Sequence, residues 1–215
     1  RSLIVHRLSR VQDRLELIGA EAQSGATRVV LRETDPYWIN LHDQLRFLKD
    51  GKEFLLTSER DGWAHLYRYS IDGKLLAQLT KGEWEVSAVA GVDEARGQVY
   101  FASTEQSPLE RHLYRVALDG GERRRLTKAA GSHSISMGPS CEYYLDTASS
   151  LSSPTRQALH SSDGSELAVL WEYDRKPLED YEVLPSEIVE VKGSDGTRFF
   201  ARLMKPAGFR SGQKY

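Results

Sequence analysis

Within one short stretch, Trp38-Ile39-Asn40-Leu41-His42-Asp43, the chain gathers an indole, a carboxamide, an imidazole and a carboxylate. Such a set suits peptide recognition: the aromatic ring offers an apolar face, and the amide and imidazole both donate and accept hydrogen bonds. Glu85, next to Trp84, is the other residue placed to line a channel. Trp38, Asn40, His42, Asp43 and Glu85 are therefore the substrate-channel candidates. A loop that merely packs one element on the next would use the same residue types, and that reading stands beside the first. Parts for other chemistries are missing. No Gly-x-Ser-x-Gly elbow occurs, so no catalytic residue is assigned within the chain. The six histidines, His6, His42, His65, His112, His133 and His160, include no i, i+4 pair and have no cysteine beside them. No metal site and no cofactor are expected.

The elements that must hold these residues declare themselves through a repeat. Polar-Gly turns fall at Ser24-Gly25, Asp72-Gly73, Asp119-Gly120 and Asp163-Gly164, with glycines 48, 47 and 44 residues apart. A leucine follows each glycine by six residues, at Leu31, Leu79, Leu126 and Leu170. The run from His65 to Ile71 matches that from His112 to Leu118, and Leu79-Thr80-Lys81 matches Leu126-Thr127-Lys128. Asp-Gly between β-prone runs is a hairpin signal, and a type I′ turn, with positive φ at both central residues, is expected at each. A second set of turns, at Lys49-Asp50-Gly51, Glu94 to Gly97 and Pro139-Ser140-Cys141, raises the count to four strands per period. Four strands in roughly 40 to 50 residues is the unit of a β-propeller. Apolar residues keep no 3.6-residue stripe, which argues against helical solenoids.

The expected class is all-β: a partial β-propeller of about three four-stranded blades, at 34–81, 82–128 and 129–178, preceded by a partial blade at 1–33. Within a blade the first strand should line the channel and the fourth face solvent. Arg123-Arg124-Arg125, on a predicted outer strand, reads as a solvated edge that blocks unwanted pairing. Trp63 and Trp84 read as packing between sheets. His65 and His112, at equivalent repeat positions, read as answering a structural need. The period fails after Gly164, since the next Asp-Gly, Asp195-Gly196, comes 32 residues later. A polar, proline-containing linker at 174–180 leads into a hairpin, Ile188-Val189-Glu190-Val191 with Phe199 to Met204, so 179–215 is read as linker and opening strands of a second domain.

Charge and composition narrow the partners. Lys and Arg total 29 against 31 Asp and Glu, a net charge of -2, which offers no field for nucleic acid. No run approaches the length of a membrane span, and one cysteine, Cys141, permits no internal disulfide. Arg1-Ser2-Leu3-Ile4 lacks both an initiating Met and a signal-peptide layout, which suits an excised segment of a longer protein. A propeller cut open would expose blade faces, so association of the isolated chain is expected.

Three runs, Trp38 to Asp43, Ser58-Glu59-Arg60-Asp61-Gly62-Trp63-Ala64-His65-Leu66-Tyr67 and Lys81-Gly82-Glu83-Trp84-Glu85-Val86, resemble the later propeller blades of the dipeptidyl peptidase IV family, including its bacterial members. Ser194-Asp195-Gly196-Thr197 through Lys205-Pro206-Ala207-Gly208-Phe209 resembles that family's entry into its α/β-hydrolase domain. The resemblance implies an eight-bladed propeller capping a serine peptidase that removes Xaa-Pro or Xaa-Ala dipeptides from peptide N-termini. It implies peptide substrates for the parent protein, allows a homodimer, and makes export plausible without fixing a compartment. The family's Ser-Asp-His triad has no counterpart here, nor have its paired glutamates, since no Glu-Glu occurs. The chain alone should therefore be inactive. The competing reading is a non-catalytic propeller scaffold for protein binding.

Overall fold

A computed structural model describes residues 2–42, 44–174, 176–178, 180–181 and 183–214. Strands make up all its regular structure except a 3₁₀ turn at Lys176–Leu178. β1 (Ser2–Leu8), β2 (Arg14–Glu21) and β3 (Thr27–Thr34) form a three-stranded meander. Three four-stranded antiparallel meanders follow. The second sheet holds β4 (Arg46–Phe47), β5 (Glu53–Ser58), β6 (His65–Ser70) and β7 (Leu75–Gln78). The third holds β8 (Val86–Asp93), β9 (Gln98–Ser103), β10 (His112–Ala117) and β11 (Arg124–Arg125), and the fourth β12 (Ser132–Met137), β13 (Tyr143–Ser149), β14 (Arg156–Ser161) and β15 (Glu166–Glu172). A separate hairpin pairs β16 (Ser186–Lys192) with β17 (Arg198–Met204). Within the expected linker, Arg175 and Glu179 lie outside the described residues. No helix among the described residues is long and apolar enough to cross a membrane.

Central strands are apolar at consecutive positions because both of their faces are covered. Side chains alternate across a strand. Phe54 and Leu56 of β5 therefore join Leu17 and Val30 of the first sheet in one core, while Leu55 between them joins Val99 and Phe101 of the third sheet in another. In β9 the same alternation turns Tyr100 towards Leu113, Leu126 and Tyr144, a third core shared with the fourth sheet. Burying each such side chain is worth about 1.5–3 kcal/mol. The pattern weakens at the end of the stack. Leu167, Val169, Leu170 and Trp171 of β15 are exposed, as are Phe199, Phe200, Leu203 and Met204 of β17. Of the four repeated leucines, Leu79 and Leu126 are buried, whereas Leu170 is half exposed.

The turns explain the glycine spacing and correct their expected type. Among the described residues only Gln12 and Cys141 have positive φ without being glycine, so no Asp of an Asp-Gly pair does. A type I′ turn is thus excluded. At Asp72-Gly73 the Gly73 amide donates to the Ser70 carbonyl at 2.8 Å and Ser70 to the Lys74 carbonyl at 2.9 Å, with Gly73 alone at φ 85°. This is the longer hairpin loop in which one left-handed residue closes the turn. A Cβ on Gly73 would stand 1.7 Å from the Val30 carbonyl oxygen, so the turn is clamped on the preceding sheet. The inner turns put Gln12, Gly51, Gly97 and Cys141 at one equivalent left-handed position. Cys141 keeps its side chain there because the thiol is buried in the third core.

The two matched histidines form the same clasp. The Leu66 amide donates to Thr80 Oγ1 at 2.9 Å, and Thr80 Oγ1 stands 3.0 Å from His65 Nδ1. Leu113, Thr127 and His112 repeat the arrangement at 3.0 and 3.0 Å. With the hydroxyl oxygen accepting from the amide, its proton points to Nδ1, leaving Nε2–H to donate to the Gly82 carbonyl or to Glu110. Each clasp ties the third strand of its sheet to the second residue after the fourth. His133 differs. Its Nδ1 faces Asp146 Oδ2 at 2.8 Å and its Nε2 faces the Ala129 carbonyl at 3.0 Å, so both nitrogens donate and the buried ring is an imidazolium. Burial opposes that charge, but Asp146 and the Ala129 carbonyl outweigh it and hold the His133 pKa above its ordinary value. The ring lies where the His133 amide donates to the Arg111 carbonyl at 2.9 Å, which joins the third and fourth sheets.

The Arg123 to Arg125 edge is more engaged than a solvated strand. Arg123 pairs with Glu105 at 2.7 Å and lies over the Trp84 ring at 5.0 Å, and Arg125 donates to Gln106 at 2.8 Å. Only Arg124 is exposed. Trp84 is buried as expected, but Trp63 is exposed and does not serve as packing. It sits in the turn between β5 and β6, before the chain re-enters the sheet.

Two measurements check this account. Gly51 and Gly73 share a positive φ, but a Cβ on Gly51 meets nothing within 4 Å. Gly73→Ala is therefore expected to cost roughly 2 kcal/mol more than Gly51→Ala in urea unfolding, and equal costs would refute the clamp. The His133 charge contributes stability that is complete below its unfolded pKa and lost as pH rises through its raised folded pKa. The deficit of Asp146→Asn against the parent sequence should be largest below the ordinary histidine pKa, about 6.5, and shrink as pH rises above it. A deficit unchanged with pH would show His133 to be neutral.

Candidate substrate-channel site

The loop between β3 and β4 is tied at both ends. Asp35 Oδ1 accepts the backbone amides of Tyr37 at 2.8 Å and Trp38 at 3.0 Å, which caps the turn beside Pro36. Those two amides hold the Asp35 carboxyl below its ordinary pKa. The Ile39 amide donates to the Gln12 carbonyl at 2.8 Å, anchoring the loop to the first sheet.

From that base a polar chain runs outward. Trp38 Nε1 donates to Asn40 Oδ1 at 3.2 Å, and Asn40 Nδ2 donates to both carboxylate oxygens of Glu59, at 3.1 and 2.9 Å. His42 Nε2 meets the same Glu59 Oε1 at 2.9 Å. Trp38 is exposed and His42 half-buried, so the cluster presents an aromatic face and an imidazole at a small cleft whose floor includes Leu15, Leu56 and Thr57. Beside it Arg60 pairs with Glu33, donates to Ser58 Oγ at 3.0 Å and lies over the Tyr67 ring at 4.4 Å. The arrangement can bind a peptide through a planar ring and through hydrogen bonds of fixed polarity. Among its described groups, none is placed as a nucleophile with a base behind it.

Three of the five candidates, Trp38, Asn40 and His42, come together in this way. Asp43 lies outside the described residues. Glu85 stands apart from the cluster: its carboxylate pairs with Arg111 at 3.3 Å, and its backbone exchanges hydrogen bonds with Thr104 at 3.0 and 3.1 Å. Sequence reasoning left out Glu59, the residue that holds the others. Its signal was a polar run, Ser58 to Gly62, breaking abruptly from the buried strand Phe54-Leu55-Leu56-Thr57.

Comparison with known proteins agrees with this architecture. Residues 1–155 match the family model described as the dipeptidyl peptidase IV (DPP IV) N-terminal region. The chain is 29% identical over its full length to dipeptidyl peptidase 4 of Trichophyton equinum, of which it covers 29%. It is 31% identical to dipeptidyl peptidase 8 of Mus musculus, with 94% of the chain aligned to 27% of that protein. The crystal structure of Porphyromonas gingivalis dipeptidyl peptidase 4 superposes with a TM-score of 0.91 at 28% identity, over 97% of this chain and 30% of that one. The chain thus spans under a third of the length of these relatives. Its successive antiparallel meanders, stacked face to face and sharing cores, are the blades of a partial β-propeller. The chain belongs to the dipeptidyl peptidase IV N-terminal region family.

Proposed function

We propose that this chain is a wall of the substrate cavity in a serine-type dipeptidyl peptidase, which releases Xaa-Pro and Xaa-Ala dipeptides from peptide N-termini. The observation that carries the reading is the exposed Trp38 and the His42 imidazole, both organised on Glu59 in a chain whose sequence matches the dipeptidyl peptidase IV N-terminal region. A binding wall needs preset polarity more than it needs reactive groups, and this cluster supplies it. The propeller would exclude folded proteins by the width of its openings, while β16 and β17 would begin the α/β-hydrolase domain. Residues 1–178 would then be propeller, a partial blade at 1–33 and full blades to 178, and 179–215 the passage into that domain. The exposed apolar side chains of β17 support the last point, since a lone hairpin does not bury its own face.

Catalysis in this scheme belongs to a serine, aspartate and histidine elsewhere in the parent protein. The test is to express the complete reading frame containing this segment beside the 215-residue chain, and to assay release of a chromophore from Gly-Pro and Ala-Pro amides. Release by the complete protein alone, abolished by a serine-directed inhibitor, is the expected result. No release by either, with no Gly-x-Ser-x-Gly in the full frame, would overturn the peptidase reading and favour a binding scaffold.

A further inference from the structure

We propose that Glu59 is a positioning residue for this wall: its carboxylate orients Asn40 and fixes the tautomer in which His42 meets the peptide. The inference rests on the loop at 38–42 bordering the substrate cavity. An ionised carboxylate only accepts hydrogen bonds. Glu59 accepts two from the Asn40 amide and one from the His42 ring, all between 2.9 and 3.1 Å. Asn40 is thereby fixed with its carbonyl oxygen outward to Trp38 Nε1, so one carboxylate sets the direction of three side chains. The neighbouring cation does not compete, because Arg60 is engaged by Glu33 and Ser58. Glu59 directly follows β5, whose residues from Phe54 to Ser58 are all buried, which gives it a rigid base.

The consequence for His42 is chemical. When the ring is neutral, Nε2–H donated to Glu59 leaves Nδ1 as a lone-pair acceptor. The wall is therefore set to receive an N–H donor of the substrate, a peptide amide or an ammonium group. A glutamine in place of Glu59 fits the same space, but its amide can donate to Nε2. That reverses the ring and makes Nδ1–H a donor, as a carboxylate-to-amide change does behind a catalytic imidazole.

The test uses the complete protein with Ala-Pro and Gly-Pro chromogenic amides and an unlabelled longer peptide, and compares His42→Ala, Glu59→Gln, Glu59→Asp and the double variant H42A/E59Q. Glu59→Gln should raise KM about tenfold with kcat within about twofold, the size of one misdirected hydrogen bond. Glu59→Asp, which keeps the acceptor, should restore part of the loss. Melting temperature should not move. The double variant should be no worse than His42→Ala alone, since Glu59 acts through the ring. A raised KM in His42→Ala with none in Glu59→Gln would overturn the positioning role and leave the wall reading intact. Unchanged KM in both would overturn both. A Glu59→Gln protein that melts early and loses kcat and KM together would show a structural carboxylate and equally overturn the proposal.

Discussion

Every sheet in the middle of this chain is apolar on both faces, and each therefore depends on two neighbours. Leu55 and Phe54 are adjacent in sequence yet belong to different cores, one shared with the third sheet and one with the first. No sheet of this kind is a stable unit alone, because removing either neighbour returns large side chains to water. The requirement of face-to-face stacking governs the remaining features. It places Gly73 against the Val30 backbone, brings Arg68 Nη1 to the Leu118 carbonyl of the next sheet at 2.8 Å, and seats the His133 imidazolium at a sheet joint. Stacking also sends all strand-end loops to the rims. Polar groups there escape desolvation and become available to a ligand.

The candidate site is a product of that geometry. The loop at 35–42 crosses from the third strand of one sheet to the first of the next, and it is pinned to the first sheet by Ile39 and to the second by Glu59. The proposed wall would need no reactive group, only directions that do not relax. Asp35 caps the backbone, Asn40 relays from Trp38, and the carboxylate closes the network. The histidine clasps elsewhere show the contrast. His65 and His112 are buried and bonded within their own sheets, so they hold strands together, whereas His42 stands at the rim with one nitrogen committed.

Much of the architecture was legible because its constraints act on residue type. All four turns hold their glycine at positive φ, and those at Gly73 and Gly164 are also pressed on a neighbouring backbone, which is why the spacing of Gly25, Gly73, Gly120 and Gly164 revealed the period. The turn type was not legible, since Asp-Gly serves both one and two left-handed residues. Gln12 escaped recognition for the converse reason: it occupies the position of Gly51 and Gly97 despite its side chain, as does Cys141, whose turn the repeat did reveal. Trp63 and Trp84 are the same residue type, and only the three-dimensional course of the chain decides that one is exposed and the other stacked beneath Arg123. Glu59 was not among the candidates, because its partners, Asn40 and His42, lie 19 and 17 residues away. Glu85, read as channel-facing, pairs with Arg111, a partner 26 residues away that its own neighbourhood in sequence did not suggest.

The central claim is that the cluster on Glu59 touches substrate. It is tested most directly by a crystal structure of the complete protein with a non-hydrolysable peptide in its cavity. The account predicts that the Trp38 ring or His42 Nδ1 lies within about 4 Å of the peptide, with Asn40 and His42 still bonded to Glu59. A peptide bound in the cavity with the 38–42 loop remote from it would contradict the claim.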